Sequence, residues 1–171
     1  MSAQEDDDPE RFRWLAEGNA RQARKRVSAK VVICDEDGRV LLVNPTYKQY
    51  WDLPGGMAEA NESPIAAALR EVAEELGFTA RIGGLLLVDW VAAHGPWDDL
   101  LVFVFDGGTV GGDDLLRMSV TDEELSDFAF FSLEAAKARL RPDMWSKLRR
   151  AVAAKRVGAV LYEEFHHSRP G

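Results

Sequence analysis

Three glutamates lie within five residues of one predicted helix, and their spacing suggests a chemical role. Glu71, Glu74 and Glu75 occupy positions i, i+3 and i+4, which share one face of an α-helix. Carboxylates this close repel one another and destabilise a helix. No histidine or cysteine stands beside them, so these oxygen donors suit Mg²⁺ or Mn²⁺ rather than zinc. The cluster is therefore either a solvated face or the site of a divalent cation.

The residues around the cluster extend the cation hypothesis. Arg70 directly precedes the first glutamate, and an arginine can fix the direction of a carboxylate through paired hydrogen bonds. Glu62 flanks the cluster on its amino-terminal side. Gly55 and Gly56 allow a tight turn with close backbone approach, which makes the Gly55 carbonyl a further candidate ligand.

Local signals define the elements that must position these side chains. Ser63 followed by Pro64 predicts a helix start, and Gly77 predicts its end near Leu76. Mixed helices and strands without a regular βαβ rhythm predict the α+β class. The 107–114 segment (GGTVGGDD) predicts a flexible connection, and the 161–171 segment is ambiguous. The 78–93 segment predicts one long strand or two, with a bend at 83–84, and residues 18–19 weaken or split a helix predicted at 10–26. Apolar runs and turn residues predict further strands at 29–34, 40–43, 51–53, 100–105 and 127–131, and further helices from 133 and at 143–157.

Composition limits the possible classes of function. The 171 residues carry a net charge of −8, which argues against broad nucleic-acid binding. No apolar stretch approaches the ~20 residues that span a bilayer, and the acidic amino terminus does not resemble a secretory signal. The single cysteine, Cys34, lies in an apolar run and predicts a buried, inert thiol in a reducing cytoplasm.

The whole spacing resembles the signature of the Nudix hydrolases, a MutT-like family. Gly56, five residues, Glu62, seven residues and then REVAEELGF match the signature at each fixed position, and residues 56–78 are called the box below. The preceding WDLPGG and the later FFSLEAA segments are also similar to this family. The resemblance implies an α/β/α sandwich around a mixed β-sheet, with the box forming a loop–helix–loop.

The resemblance also implies an activity and residue roles. Family members use Mg²⁺ or Mn²⁺ to hydrolyse a pyrophosphate linkage in a nucleoside diphosphate derivative or nucleotide. Glu71, Glu74 and Glu75, with the Gly55 carbonyl, would bind metal, and Arg70 would act with them in catalysis. Glu62, together with Arg70, would be a structural orienter. A further acid from outside the box would come from Asp122, Glu123 or Glu124, although a solvated loop explains this acidic segment equally well.

Domain organisation and substrate contacts complete the expectations. Residues 1–26 form an acidic lead and an amino-terminal helix, 27–141 the catalytic core, and 142–171 a carboxy-terminal helical extension. The two terminal helices either pack on the sheet or form a homodimer contact. Trp51 is a candidate for stacking on a base and His94 for contacting phosphate, although packing in the fold explains an aromatic side chain as well.

Three alternatives stay open at the level of sequence. A Nudix-fold module that binds nucleotides without catalysis would tolerate loss of box carboxylates, whereas this box is intact. An isoprenoid diphosphate isomerase would need a reactive cysteine, and Cys34 lies in a predicted core strand. Hydrolysis of an mRNA 5′ end is disfavoured by the net charge but kept open by the basic helices near each end.

Overall fold

A computed structural model describes residues 8–167 of the chain. Within that range, helices cover both faces of one seven-stranded mixed sheet. The helices are α1 (Pro9–Ala20), α2 (Pro64–Leu76), α3 (Gly112–Arg117), α4 (Leu133–Arg139) and α5 (Pro142–Val157). The strands are β1 (Arg26–Asp35), β2 (Val40–Pro45), β3 (Gly55–Met57), β4 (Leu85–Val91), β5 (Leu100–Val110), β6 (Leu125–Phe131) and β7 (Leu161–Phe165).

The sheet runs in the order β6-β2-β1-β5-β4-β7, and the short β3 pairs with β1 beside this path. The β1–β5 and β4–β7 pairs are parallel, and the other pairs are antiparallel. Helices on both faces of this mixed sheet confirm the predicted α+β sandwich.

Each face of the sheet has its own apolar core because side chains alternate along a strand. Ala29, Val31 and Ile33 of β1 pack on the face covered by α2. Val32 packs on the opposite face, against the residues of α4 and α5. The central strand therefore contributes to both cores.

The box helix α2 forms as its caps predict. The Ser63 hydroxyl accepts a hydrogen bond from the Ala66 N–H, and Pro64 occupies the first turn. Gly77 ends the helix in the left-handed region with a φ of 59°. The helix buries Val72 and Leu76 completely, so its apolar face fixes which side chains point toward the sheet edge.

Several predicted element boundaries are wrong. The first helix ends at Ala20, because β1 takes the chain from Arg26. The 78–93 segment, predicted as one strand or two with a bend at 83–84, forms one strand that begins after that bend, at Leu85. The segment predicted as flexible continues β5 to Val110 and then forms α3. The 51–53 segment makes isolated bridges rather than a strand.

The two ends of the described chain differ in how they pack. The predicted extension contains α5 and strand β7, and α5 buries Met144, Leu148 and Ala151 against the sheet. Helix α1 buries none of its residues, and its Phe12 side chain is exposed. The homodimer contact therefore stays a prediction. None of the helices within residues 8–167 is long and apolar enough to cross a bilayer.

Candidate active site

A cavity of about 310 Å³ lies where the box meets the edge formed by β1, β2 and β3. Its acidic lining comes from the box, from the 119–124 loop and from Asp52, and its basic lining comes from Lys30 and Lys48. The acidic and glycine residues that line it are Asp52, Glu71, Glu75, Asp122, Glu124, Gly55 and Gly56. The cavity therefore joins two of the three clustered glutamates of α2 to the predicted outer acidic segment.

Each of these two glutamates is placed by one glycine. The Gly55 N–H donates a 2.9 Å hydrogen bond to Glu75 Oε2. A Cβ on Gly56 would lie 2.5 Å from the Glu71 carboxylate carbon, so the absence of a side chain makes room for that carboxylate. Gly55 itself has a φ of 114°, and a Cβ there would meet the Ala29 carbonyl oxygen at 2.1 Å. The glycine pair is thus required by both turn geometry and close approach.

Arg70 holds the acidic side chains of the box in one network. Its guanidinium donates to both carboxylate oxygens of Glu62, with both distances 2.9 Å. It also donates to Glu71 at 3.1 Å and to Glu74 at 3.0 Å. A fourth partner is the Met57 carbonyl at 3.0 Å, which ties α2 to the preceding loop. The geometry matches the orienting role expected for Arg70 and Glu62, which itself stays a prediction.

The electrostatics distinguish the box acids from one another. Burial raises the pKa of Glu75 to about 7, although the Lys30 ammonium and the Gly55 N–H act in the opposite direction. Burial also raises the pKa of Glu71, with Arg70 opposing the shift. Hydrogen bonds from Arg70 and from the Glu59 N–H lower the pKa of Glu62 to about 2. Glu75 is therefore the box acid whose charged form burial disfavours most strongly.

An ion cluster beside the cavity, formed by Lys30, Lys48 and Asp52, was not predicted from the sequence. Lys30 Nζ lies 3.2 Å from Asp52 Oδ2, and Lys48 Nζ lies 2.6 Å from the same oxygen. Burial opposes ionisation of Asp52, but the two lysines outweigh it and lower the pKa of Asp52. The available signal was a lysine inside an apolar strand, in AKVVIC, which departs from the pattern of a buried strand.

The outer acidic segment is attached directly to the carboxy-terminal end of α2. The Thr121 hydroxyl donates to the Glu74 carbonyl at 2.6 Å, and its N–H donates to the Glu75 carbonyl at 3.1 Å. This attachment brings Asp122 and Glu124 to the cavity wall. Glu123 is exposed and lies outside the set of residues that line the cavity.

The box residues can be tested against the divalent ion that the resemblance implies. Within residues 8–167, no group of three or more His, Cys, Asp or Glu side chains is arranged to hold a metal ion. Glu74 is directed to Arg70, and its side chain is 54% exposed. Glu71 and Glu75 are left as the box carboxylates at the cavity. Mg²⁺ is commonly bound through one or two carboxylates, with waters and substrate phosphates completing its shell, so this pair fits such an ion.

The Gly55 carbonyl, the other predicted ligand, has a partner in this structure. It accepts a 2.6 Å hydrogen bond from Lys30 Nζ. A carbonyl oxygen has two lone pairs, so this contact leaves one acceptor position.

A second cavity of about 230 Å³ shares Ser28, Lys30 and Asp52 with the first. Its outer wall includes His94 and Trp97, and the guanidinium carbon of Arg26 lies 4.9 Å from the centroid of the Trp97 ring. The cavity thus places an aromatic surface and cations directly beside the acidic cavity.

The predicted substrate contacts Trp51 and His94 occupy different places. Trp51 packs edge-on against Phe131, with 5.0 Å between ring centroids, and lines a separate cavity of about 90 Å³. His94 lines the second cavity, where its ring centroid lies 3.7 Å from that of His167. Cys34 is half-buried, burial raises the pKa of its thiol, and it lines neither the acidic cavity nor the second cavity.

The comparisons with known proteins agree with this architecture. The family model described as the NUDIX domain matches residues 24–154. A 54-residue segment, 32% of this chain and 36% of the relative, is 41% identical to a putative 8-oxo-dGTP diphosphatase of Bacillus subtilis (strain 168). A 52-residue segment, 30% of this chain and 29% of the relative, is 38% identical to an RNA pyrophosphohydrolase of Halorhodospira halophila. These matches span about a third of the curated relatives.

Solved structures extend the likeness over most of the chain. The MutT protein from Methanosarcina mazei Go1 superposes with a TM-score of 0.63 at 25% identity, covering 80% of this chain and 99% of that protein. The similarity therefore reaches beyond the box to the sheet and to the helices on both of its faces.

Proposed function

Because the chain belongs to the Nudix family of hydrolases, we propose that it hydrolyses a pyrophosphate linkage in a nucleotide-type substrate, with Mg²⁺ or Mn²⁺ bound at the box. The observation that carries this proposal is the pairing of Glu71 and Glu75 with the glycine turn in one cavity. Family membership alone would not separate an enzyme from a module that has lost its catalytic carboxylates.

The proposed division of roles follows from the contacts. Glu71 and Glu75 hold the cation, and Arg70 keeps Glu71 oriented while Glu62 holds Arg70. Glu74 would be a further ligand if its carboxylate were released from its hydrogen bond to Arg70. When bound, the ion supplies a water of lowered pKa and neutralises phosphate oxygens. A carboxylate at the cavity accepts the proton of the attacking water, and Glu75, Asp122 and Glu124 are its candidates.

The second cavity is the proposed site for the part of the substrate beyond the diphosphate. It adjoins the acidic cavity through Lys30 and Asp52, so one molecule can occupy both. Trp97 offers a face for a nucleobase, and Arg26 lies beside it. This arrangement favours a planar aromatic group over a purely polyanionic one.

Trp97→Ala tests this placement. We expect KM for a nucleotide substrate to rise about tenfold, the order expected from losing one stacking contact of about 1–3 kcal/mol, with kcat little changed. Trp14→Ala, on exposed α1, is the matched control. An unchanged KM in the Trp97 variant would remove the second cavity from the substrate site.

Three alternatives to this function differ in what they predict for the substrate panel described below. An isomerase with a reactive thiol at the site is disfavoured because Cys34 lines neither the acidic cavity nor the second cavity, and burial raises the pKa of its thiol. Action on an RNA 5′ end is supported by the match to an RNA pyrophosphohydrolase but opposed by the net charge of −8. A silent binding module predicts nucleotide binding with no turnover.

One panel separates these outcomes. Nucleoside triphosphates, an oxidised guanine triphosphate, nucleoside diphosphate-linked compounds and 5′-triphosphorylated RNA are incubated with Mg²⁺ or Mn²⁺, and phosphate and pyrophosphate release is measured. We expect metal-dependent hydrolysis of at least one small nucleotide and its loss in Glu75→Gln. Folded wild-type protein that binds nucleotides yet releases nothing with either ion would contradict the proposal.

A further inference from the structure

Lys30 is a nearly buried cation on the wall between the two cavities. Its side chain is only 12% exposed, and it lines both cavities. It lies on β1 directly opposite Gly55 of β3 in the strand register. A lysine at this position is costly to bury unless its charge and its hydrogen bonds are satisfied.

The ammonium group uses its full hydrogen-bonding capacity on the loop before the box. Lys30 Nζ lies 3.2 Å from Asp52 Oδ2, 3.2 Å from the Leu53 carbonyl and 2.6 Å from the Gly55 carbonyl. An ammonium group has three donors, so these three contacts account for all of them. Lys30 therefore acts on the loop and has no donor left for a substrate.

Gly55 links Lys30 to Glu75 of the box. Its carbonyl accepts from Lys30, and its N–H donates to Glu75 Oε2 at 2.9 Å. Its φ of 114° is compatible with glycine but strained for other residues, so the turn needs contacts that hold it in place. The Lys30 ammonium and the Glu75 carboxylate therefore both form hydrogen bonds with the backbone of Gly55, one at its carbonyl and the other at its N–H.

Lys48 provides an internal comparison. It contacts the same Asp52 oxygen, at 2.6 Å, and lines the same acidic cavity. Its only hydrogen bond within residues 8–167 is to Asp52, whereas Lys30 also holds two loop carbonyls. An effect of substituting Lys30 that does not occur on substituting Lys48 is therefore due to the contacts of Lys30 with the loop carbonyls, and not to its pairing with Asp52.

We infer that Lys30 is a positioning residue that fixes the Gly55 turn and, through it, the direction of Glu75. The inference rests on the proposed hydrolysis for its kinetic consequence, but the hold on Gly55 is a property of the metal-free protein. Lys30 thereby affects turnover through Gly55 and not through contact with substrate.

The test compares Lys30→Met and Lys30→Gln with Lys48→Met. Amide hydrogen exchange is measured in the metal-free proteins at Gly55 and at Leu148, a fully buried residue of α5 that reports global opening. We expect Gly55 exchange to accelerate at least tenfold more than Leu148 exchange in either Lys30 variant, and less than threefold more in Lys48→Met. In both Lys30 variants, kcat falls at least tenfold while KM changes less than threefold.

Two different substitutions of Lys30 are used because either one could impair folding. Glutamine retains a polar group, and methionine retains the apolar part of the lysine side chain. If either folded variant accelerates Gly55 and Leu148 exchange equally, or leaves both unchanged, the inference is overturned. Wild-type protein with no activity on any substrate would contradict the proposed function instead. The exchange ratio would still decide whether Lys30 fixes Gly55.

Discussion

The Gly55 N–H donates to Glu75 Oε2 over 2.9 Å, although the two residues are twenty positions apart in the chain. This hydrogen bond joins the strand before the box to the last turn of α2. It directs the most buried box carboxylate toward the cavity that also contains Glu71. The same glycine is pressed against Ala29 of β1, so the central strand of the sheet sets the position of the acidic site.

Gly56→Ala should reduce hydrolysis without unfolding the protein. The new Cβ would lie 2.5 Å from the Glu71 carboxylate carbon, so that flexible side chain must move away. A displacement near 1 Å at a reacting group costs roughly 100-fold in rate, and we expect a loss of that order in kcat/KM. Gly84→Ala is the matched control, because a Cβ at that position would have no neighbouring atom within 4 Å among the described residues. Equal activities in the two variants would show that Glu71 does not need its present position.

Arg70→Lys should weaken both the fold and the activity. Lysine retains the charge but cannot reproduce the paired hydrogen bonds to Glu62 together with those to Glu71 and Met57. We expect the free energy of unfolding to fall by about 2 kcal/mol, measured by urea denaturation. Arg21→Lys, on exposed α1, should change it by less than about 0.5 kcal/mol. A fully stable, fully active Arg70→Lys protein would argue against the orienting role.

Asp52→Asn should alter how stability depends on pH. The pKa of Asp52 is lowered below 3.8 in the folded protein, so its charge contributes stability above that value and loses it as pH falls through the folded pKa. The variant should be less stable than wild type near pH 7, with the difference shrinking below about pH 4. Urea titrations across this range measure it, and the exposed Asp113→Asn serves as control. A difference that stays constant with pH would contradict the assignment.

Lys147→Met should be the most destabilising of these changes. Lys147 Nζ lies 2.8 Å from Asp89 Oδ2, and both side chains are at most 5% exposed. Asp89 Oδ1 already lacks a hydrogen-bond partner among the described residues, so removing the lysine leaves a buried charge uncompensated. The expected loss of unfolding free energy is about 3–5 kcal/mol. The double variant with Asp89→Asn should recover part of it, and a double variant as unstable as the single one would refute this explanation.

The local features of the site were accessible from sequence because they depend on short-range rules. The caps of α2, the glycine turn and the grouping of Glu71 and Glu75 all follow from spacing along one segment. Strand β7 was not predicted, because its parallel pairing with β4 depends on packing across the sheet. The Lys30–Asp52 pair was also missed, since residues far apart in sequence meet there only after β1 and the glycine turn have packed together.

The direction of Glu74 shows a limit of reasoning from helical spacing. Positions i, i+3 and i+4 place the three glutamates on one face, but Arg70 at i−4 draws the Glu74 carboxylate to itself. The competition between a neighbouring guanidinium and an incoming cation depends on local geometry and burial. Spacing alone does not determine either quantity.

The central claim is that Glu71 and Glu75 hold a divalent cation at the box, and Mn²⁺ titration followed by electron paramagnetic resonance tests it directly. Wild-type protein should bind Mn²⁺, and Glu17→Gln, on exposed α1, should bind it equally well. The double variant Glu71→Gln/Glu75→Gln should bind at least tenfold more weakly while keeping its fold, because glutamine preserves shape and removes charge. Equal Mn²⁺ affinity in wild type and the double variant would contradict the account.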